Sequence, residues 1–174
     1  MVFRSFAVIG AGYLGRYIVD ELLRLKAIGT VSSVTIVSRS VSIPCLLYGH
    51  FCELSLAYLK DRHASHPEWI AKGVKLATID YNDQATIVAA FEGIEVAIST
   101  VKNIEDGIQN QKVLADAAKV AGVKIFAPSE WGSPSVKIEG GIAHKAQVID
   151  HLREIGLPYT VFHTGPWPDL ILQP

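Results

Sequence analysis

Three glycines near the amino terminus have the spacing that phosphate chemistry asks for. The stretch Phe6-Ala7-Val8-Ile9-Gly10-Ala11-Gly12-Tyr13-Leu14-Gly15-Arg16 reads G-x-G-x-x-G between a short apolar run and a helical pattern. A dinucleotide pyrophosphate needs this arrangement. The first glycine permits a tight turn, the second lets the backbone approach the phosphates, and the third lets the helix close on the strand. The helix start adds N–H groups without intrahelical acceptors and the positive end of a dipole. Gly10, Ala11, Gly12, Tyr13, Leu14 and Gly15 are therefore the expected pyrophosphate loop.

A second group follows at Ser38-Arg39-Ser40. A site that selects NAD carries an Asp or Glu about 20 residues past the glycines, on the ribose 2′-hydroxyl. No acidic residue occurs from Leu22 to Cys52, and Arg39 stands at that strand end with a hydroxyl on each side. A guanidinium can clamp a 2′-phosphate in bidentate fashion while serines satisfy its other oxygens. The expected cofactor is NADP(H). The backbone of Ser99-Thr100-Val101, at a later strand end, is expected beside it. Asp80 reads equally as an adenine contact or a turn residue. His50, His63, His66 and Cys52 lack the spacing of a metal site, and no metal is expected.

Alternating strands and helices must position these groups. The pattern predicts strands over 2–9, 34–37, 74–79, 96–98, 123–126 and 158–162. It predicts helices over 13–27, closed by Gly29, over 85–91 behind an Asn82-Asp83 cap, over about 104–121, ended by Gly122, and over about 142–154. The first carries a Leu14, Ile18, Leu22 and Leu25 stripe, and the long one turns Ile108, Leu114, Ala117, Ala118 and Ala121 inward. Residues 53–61 and 67–72 can each form a short helix. Six strands alternating with helices make an α/β, doubly wound, mostly parallel sheet, in which ligands bind where strand order reverses.

The totals agree with a single domain over residues 1–174. A net charge of −1 gives no field for nucleic acid or an anionic membrane. Residues 41–59 are greasy, but His50 and Glu53 interrupt them, and no membrane span or signal peptide is expected. Two cysteines without a disulfide framework suit a reducing, cytoplasmic compartment.

The block Gln111-Lys-Val-Leu-Ala-Asp-Ala-Ala-Lys-Val-Ala-Gly-Val-Lys-Ile-Phe-Ala-Pro-Ser-Glu-Trp-Gly132 resembles the NmrA-like and isoflavone-reductase-like family, atypical short-chain dehydrogenase/reductase relatives. The GAGYLG loop, the Ser-Thr-Val, a lysine early in the next helix and the Leu-Pro-Tyr-Thr strand extend the resemblance over nearly the whole chain except about 41–62. It implies a Rossmann domain binding NADP(H), with reduction of a small, phenolic or enone-type organic substrate. It also implies that Lys145 is the active-site lysine, binding nicotinamide ribose hydroxyls and assisting proton transfer. The tyrosine of the ordinary Tyr-x-x-x-Lys pair is replaced by Gly141, leaving His144 and Ser129 as candidate helpers.

Two departures complicate this picture. Members of the family continue past the sixth strand into a substrate-covering region, expected to be largely missing from this chain. Residues 41–60 resemble an insert, so a shortened or mis-spliced reading of a longer gene is one expectation. The alternative to an oxidoreductase is an NmrA-type regulator that senses NAD(P) and acts through a protein partner.

Overall fold

The computed structural model describes residues 2–39, 67–101, 105–132 and 143–165. Five strands form one parallel sheet: β1 Ser5–Ile9, β2 Ser33–Arg39, β3 Lys75–Ile79, β4 Val96–Ser99 and β5 Ile125–Ala127. Their order is β3-β2-β1-β4-β5, which reverses direction between β1 and β4. Among the described residues, five helices lie on its faces: α1 Tyr13–Ala27, α2 Pro67–Ala71, α3 Gln84–Ala90, α4 Glu105–Val120 and α5 Ala143–Glu154. Successive residues of a strand point to opposite faces, and the two cores follow that alternation. Val8, Val34 and Ile36 join Val19, Leu22, Leu23 and Trp69 on one face. Ala7, Ile9, Val37 and Ala97 join Ile87, Leu114, Ala118, Val148 and Leu152 on the other. The doubly wound sheet expected from the sequence is the observed fold.

Two local expectations shift. The sixth strand is reduced to a single parallel bridge between Phe126 and Tyr159. The N–H of Phe126 donates to the Pro158 carbonyl at 2.9 Å, and the Thr160 N–H donates to the Phe126 carbonyl at 3.1 Å. The next ladder bond needs an N–H from residue 128, which is a proline, so pairing stops there. On α1 the buried face is Gly15, Val19, Leu22 and Leu23. Leu14, Ile18 and Leu25 are only half-buried, because the helix rolls to bring Gly15 down onto the strand. β3 is exposed at Lys75, Leu76 and Thr78, as an edge strand can be. The insert at 41–62, the short helix at 53–61 and residues 166–174 lie outside the described residues.

Two further contacts set the frame around the site. Trp69 is buried and donates its indole N–H to Asp20 at 2.7 Å, fixing α2 against α1. At the amino end of the sheet, Glu95 accepts from the Arg4 N–H at 2.6 Å, the Ser5 N–H at 3.2 Å and the Lys124 ammonium at 2.6 Å. The starts of β1, β4 and β5 are thereby tied together at the end opposite the glycines.

Candidate functional site

The glycine turn connects β1 to α1 at the carboxyl ends of the strands, beside the point of strand reversal. Each glycine has a distinct physical reason to be there. Gly10 has φ +87°, a left-handed conformation that a side chain strains. A Cβ on Gly15 would lie 2.0 Å from the Gly10 carbonyl oxygen, so only glycine lets α1 descend onto the turn. A Cβ on Gly12 would meet nothing within 4 Å. Gly12 is instead the extended residue that opens α1, with the Arg16 N–H donating to its carbonyl at 3.1 Å. The chain fills the space under Gly10 and Gly15 and leaves space open over Gly12. That is the shape of a cradle for phosphates, and the residues present fit a dinucleotide.

The turn is anchored on both sides. The Gly10 N–H donates to the Val37 carbonyl of β2 at 3.0 Å, and the Thr100 N–H to the Ile9 carbonyl at 2.9 Å. The hydroxyl of Thr100 lies 2.7 Å from the Gly10 carbonyl oxygen and 3.0 Å from that of Ile9. Ser99 is fully buried at the end of β4, and Val101 is half-buried beyond it. The sequence led to the expectation that the Ser99–Val101 backbone passes beside the cofactor; in the structure the Thr100 side chain lies beneath the glycine turn.

Tyr13 stands on the outward face of the first turn of α1, at 6.0 Å edge-to-face from Tyr17, and Leu14 is half-buried. Arg16 lies over both tyrosine rings, 5.3 Å and 4.7 Å from their centroids, and donates to the Tyr17 hydroxyl at 2.9 Å.

Arg39 is the exposed last residue of β2, in register with Ile79 of β3, and Ser38 before it is half-buried. Ser40 lies outside the described residues. Burial pushes the Tyr81 phenol above its ordinary value, and the Arg39 charge beside it pulls the other way. Tyr81 is thus a neighbour of the expected phosphate clamp that sequence reasoning did not pick out. Its signal was only its place, two residues past the end of β3. Asp80 is a turn residue: its carboxylate accepts from the Asn82 N–H at 2.9 Å and the Asn82 side-chain amide at 3.1 Å.

The loop after β5 crosses the same end of the sheet. The Trp131 indole N–H donates to the Ser99 carbonyl at 2.8 Å, and its ring stacks on Phe162 at 5.3 Å with 1° between planes. Ser129 and Glu130 are buried, and the Ser129 N–H donates to the buried Gln111 side chain of α4 at 2.7 Å. The Ser129 backbone thereby ties this loop to α4. Lys145 is half-buried in the first turn of α5, the helix that follows β5 and starts at the carboxyl end of the sheet. The side chain of His144 lies outside the described residues. Among the described residues there is no cluster of metal-binding side chains and no helix long and apolar enough to cross a membrane.

The chain is 32% identical to an isoflavone reductase homolog of Zea mays over 172 residues, covering 93% of the chain and 48% of that protein. It is 38% identical to the oxidoreductase aprR of Aspergillus flavus over 103 residues, covering 54% of the chain and 34% of that protein. A solved structure described as AtPrR2 with NADP+ and (+)pinoresinol superposes with a TM-score of 0.70 at 22% identity, over 97% of this chain and 51% of that one. A solved isoflavone reductase gives 0.69 at 23% identity, over 97% and 52%. Such likenesses show a shared fold, and the chain spans about half the length of these solved proteins or less of its sequence relatives. The profile of the NmrA-like family matches residues 4–173, and the chain belongs to that family.

Proposed function

We propose that this chain is the NADP(H)-binding part of an oxidoreductase that reduces a small organic molecule. The observation that carries the reading is the pair of glycine contacts: no room for a Cβ at Gly15, open space at Gly12. A turn that merely reversed the chain would need the left-handed Gly10, but would not need α1 drawn onto Gly10 with the space over Gly12 left clear. In support, a quinone oxidoreductase of Escherichia coli that shares the fold at a TM-score of 0.67 is described as complexed with NADPH.

In this reading the first turn of α1, from Gly12 through Gly15, and the Gly10–Ala11 peptide hold the pyrophosphate. Ser38, Arg39 and Ser40 hold the 2′-phosphate, and Ser99, Thr100 and Val101 line the nicotinamide side. When bound there, the cofactor would supply hydride chemistry. Lys145 donates hydrogen bonds to ribose hydroxyls and holds the proton that the reduced substrate takes up. Small-molecule partners are favoured by the relatives, among them the isoflavone reductase homologs.

The test is cofactor selectivity. Arg39→Glu removes a charge-assisted clamp and adds repulsion at one phosphate only, so NADPH binding should weaken about a hundredfold and NADH binding less than about threefold. Titration followed by nicotinamide fluorescence reads both. Equal losses for the two cofactors would defeat the assignment. Binding of NADPH without its oxidation by any aromatic enone or aldehyde, in the full-length protein, would favour a sensor instead.

A further inference from the structure

The side chain of Thr100 occupies the niche between the glycine turn and the start of α1. Its Oγ1 lies 2.7 Å from the Gly10 carbonyl oxygen and 3.0 Å from the Ile9 carbonyl oxygen. A Cβ on Gly10 would come within 3.1 Å of this hydroxyl, and a Cβ on Gly15 within 3.0 Å. Two motif glycines therefore also make room for one hydroxyl, from the residue that follows β4. The hydroxyl has a single proton to share between two carbonyls, and the Ile9 carbonyl already accepts the Thr100 N–H at 2.9 Å. The shorter contact, to Gly10, is the one the backbone does not duplicate.

We propose that Thr100 is a positioning residue for the pyrophosphate, holding the Gly10–Ala11 peptide so that the Ala11 N–H faces the phosphates. This rests on the NADP(H) reading above. In a planar trans peptide the N–H points opposite the carbonyl. With the Gly10 carbonyl turned inward to Thr100, the Ala11 N–H turns outward to the cradle. The orientation of this peptide is set by ψ of Gly10 and φ of Ala11, and glycine, having no Cβ, constrains its own ψ weakly. The partner of the Gly10 carbonyl therefore weighs in the choice. Valine in place of threonine keeps the shape and removes the donor, leaving that carbonyl against a methyl group and favouring rotation of the peptide.

Three ligands separate this role from general damage: NADPH, NADH and adenosine 2′-monophosphate, which lacks the pyrophosphate. Thr100→Val should weaken both dinucleotides by a similar factor, about tenfold for roughly one well-placed hydrogen bond, and leave the 2′-monophosphate nearly unchanged. Thr100→Ser, which keeps the hydroxyl, should restore both dinucleotides. Arg39→Glu should show the opposite pattern, with NADPH and the 2′-monophosphate lost together. A Thr100→Val protein that is less heat-stable but binds both dinucleotides like the parent overturns the proposal, as does equal loss of all three ligands. A parent chain that binds none of them overturns the NADP(H) reading, and the proposal with it. Amide hydrogen exchange on the unmodified protein decides the matter even if the valine variant fails to fold. The Gly10 and Thr100 amides should exchange slowly with or without NADPH, and the Ala11 amide should be fast until NADPH slows it. A slow Ala11 amide in the free protein sinks the idea.

Discussion

A methyl group added to Gly12 and one added to Gly15 should do opposite things. Gly12 is extended, with φ −75° and ψ −152°, and a Cβ there meets open space. Gly12→Ala should leave the melting temperature within a few degrees, since surface changes usually stay within about 0.5 kcal/mol. It should nevertheless weaken NADPH binding, because the methyl projects where the backbone must meet the phosphates. Gly15→Ala puts a Cβ 2.0 Å from the Gly10 carbonyl oxygen and must push α1 off the turn. It should cost about 1–3 kcal/mol of stability as an overpacked contact, and abolish binding as well. Melting curves and NADPH titrations on both variants check the contrast. The alanine at position 12 separates binding from folding, which no substitution at 15 can do.

At the scale of elements, Glu95 is the tie across the starts of three strands. The Lys124 ammonium, followed by the Arg4 N–H, holds its carboxyl down at about 2; modest burial opposes this, and the Ser5 N–H adds a little more in the same direction. A carboxyl with a lowered folded-state value contributes stability that is complete above its ordinary value near 4.5. That contribution is lost as pH falls toward about 2. Glu95→Gln should therefore be less stable than the parent at neutral pH, and the gap should close between those two values in acid unfolding curves. Helix α3 has a simpler dependence. Asp83 caps it, its carboxylate accepting from the Ala85 N–H at 3.0 Å. Asp83→Ala should cost about 1 kcal/mol in a denaturant titration, since an orphan donor loses its partner. The cap was legible in the sequence as Asn82-Asp83 before an apolar run. The three-way Glu95 tie was not, because it joins residues up to 91 positions apart.

Across the whole molecule, Phe126 joins the core to the last segment. Its side chain is fully buried, and its backbone makes the bridge to Tyr159. Phe126→Ala should cost about 3–5 kcal/mol, measured by the denaturant midpoint, because it opens a cavity among α4, α5 and the sheet. The Trp131–Phe162 stack should loosen with it, since Thr160, two residues before Phe162, is held by the Phe126 carbonyl. Loss of the shift that the stack gives Trp131 fluorescence would show that coupling.

What could be read from the chain alone was whatever depends on local spacing: the glycine turn, the alternation of strands and helices, the Asn82-Asp83 cap, the helix ends at Gly29 and Gly122, and an arginine where an acid would select NAD. Local pattern suffices because a turn, a helix face or a strand run is set by neighbours a few residues apart. The tertiary structure decided the rest. It turned the threonine hydroxyl under the glycines and set Tyr81 beside Arg39. It also joined Gln111 to Ser129 and Trp131 to Ser99, and stopped the sixth strand at a proline on its neighbour. Each of these joins residues brought together only by the packing of separate elements, and one strand's spacing carries no record of what a distant strand presents to it.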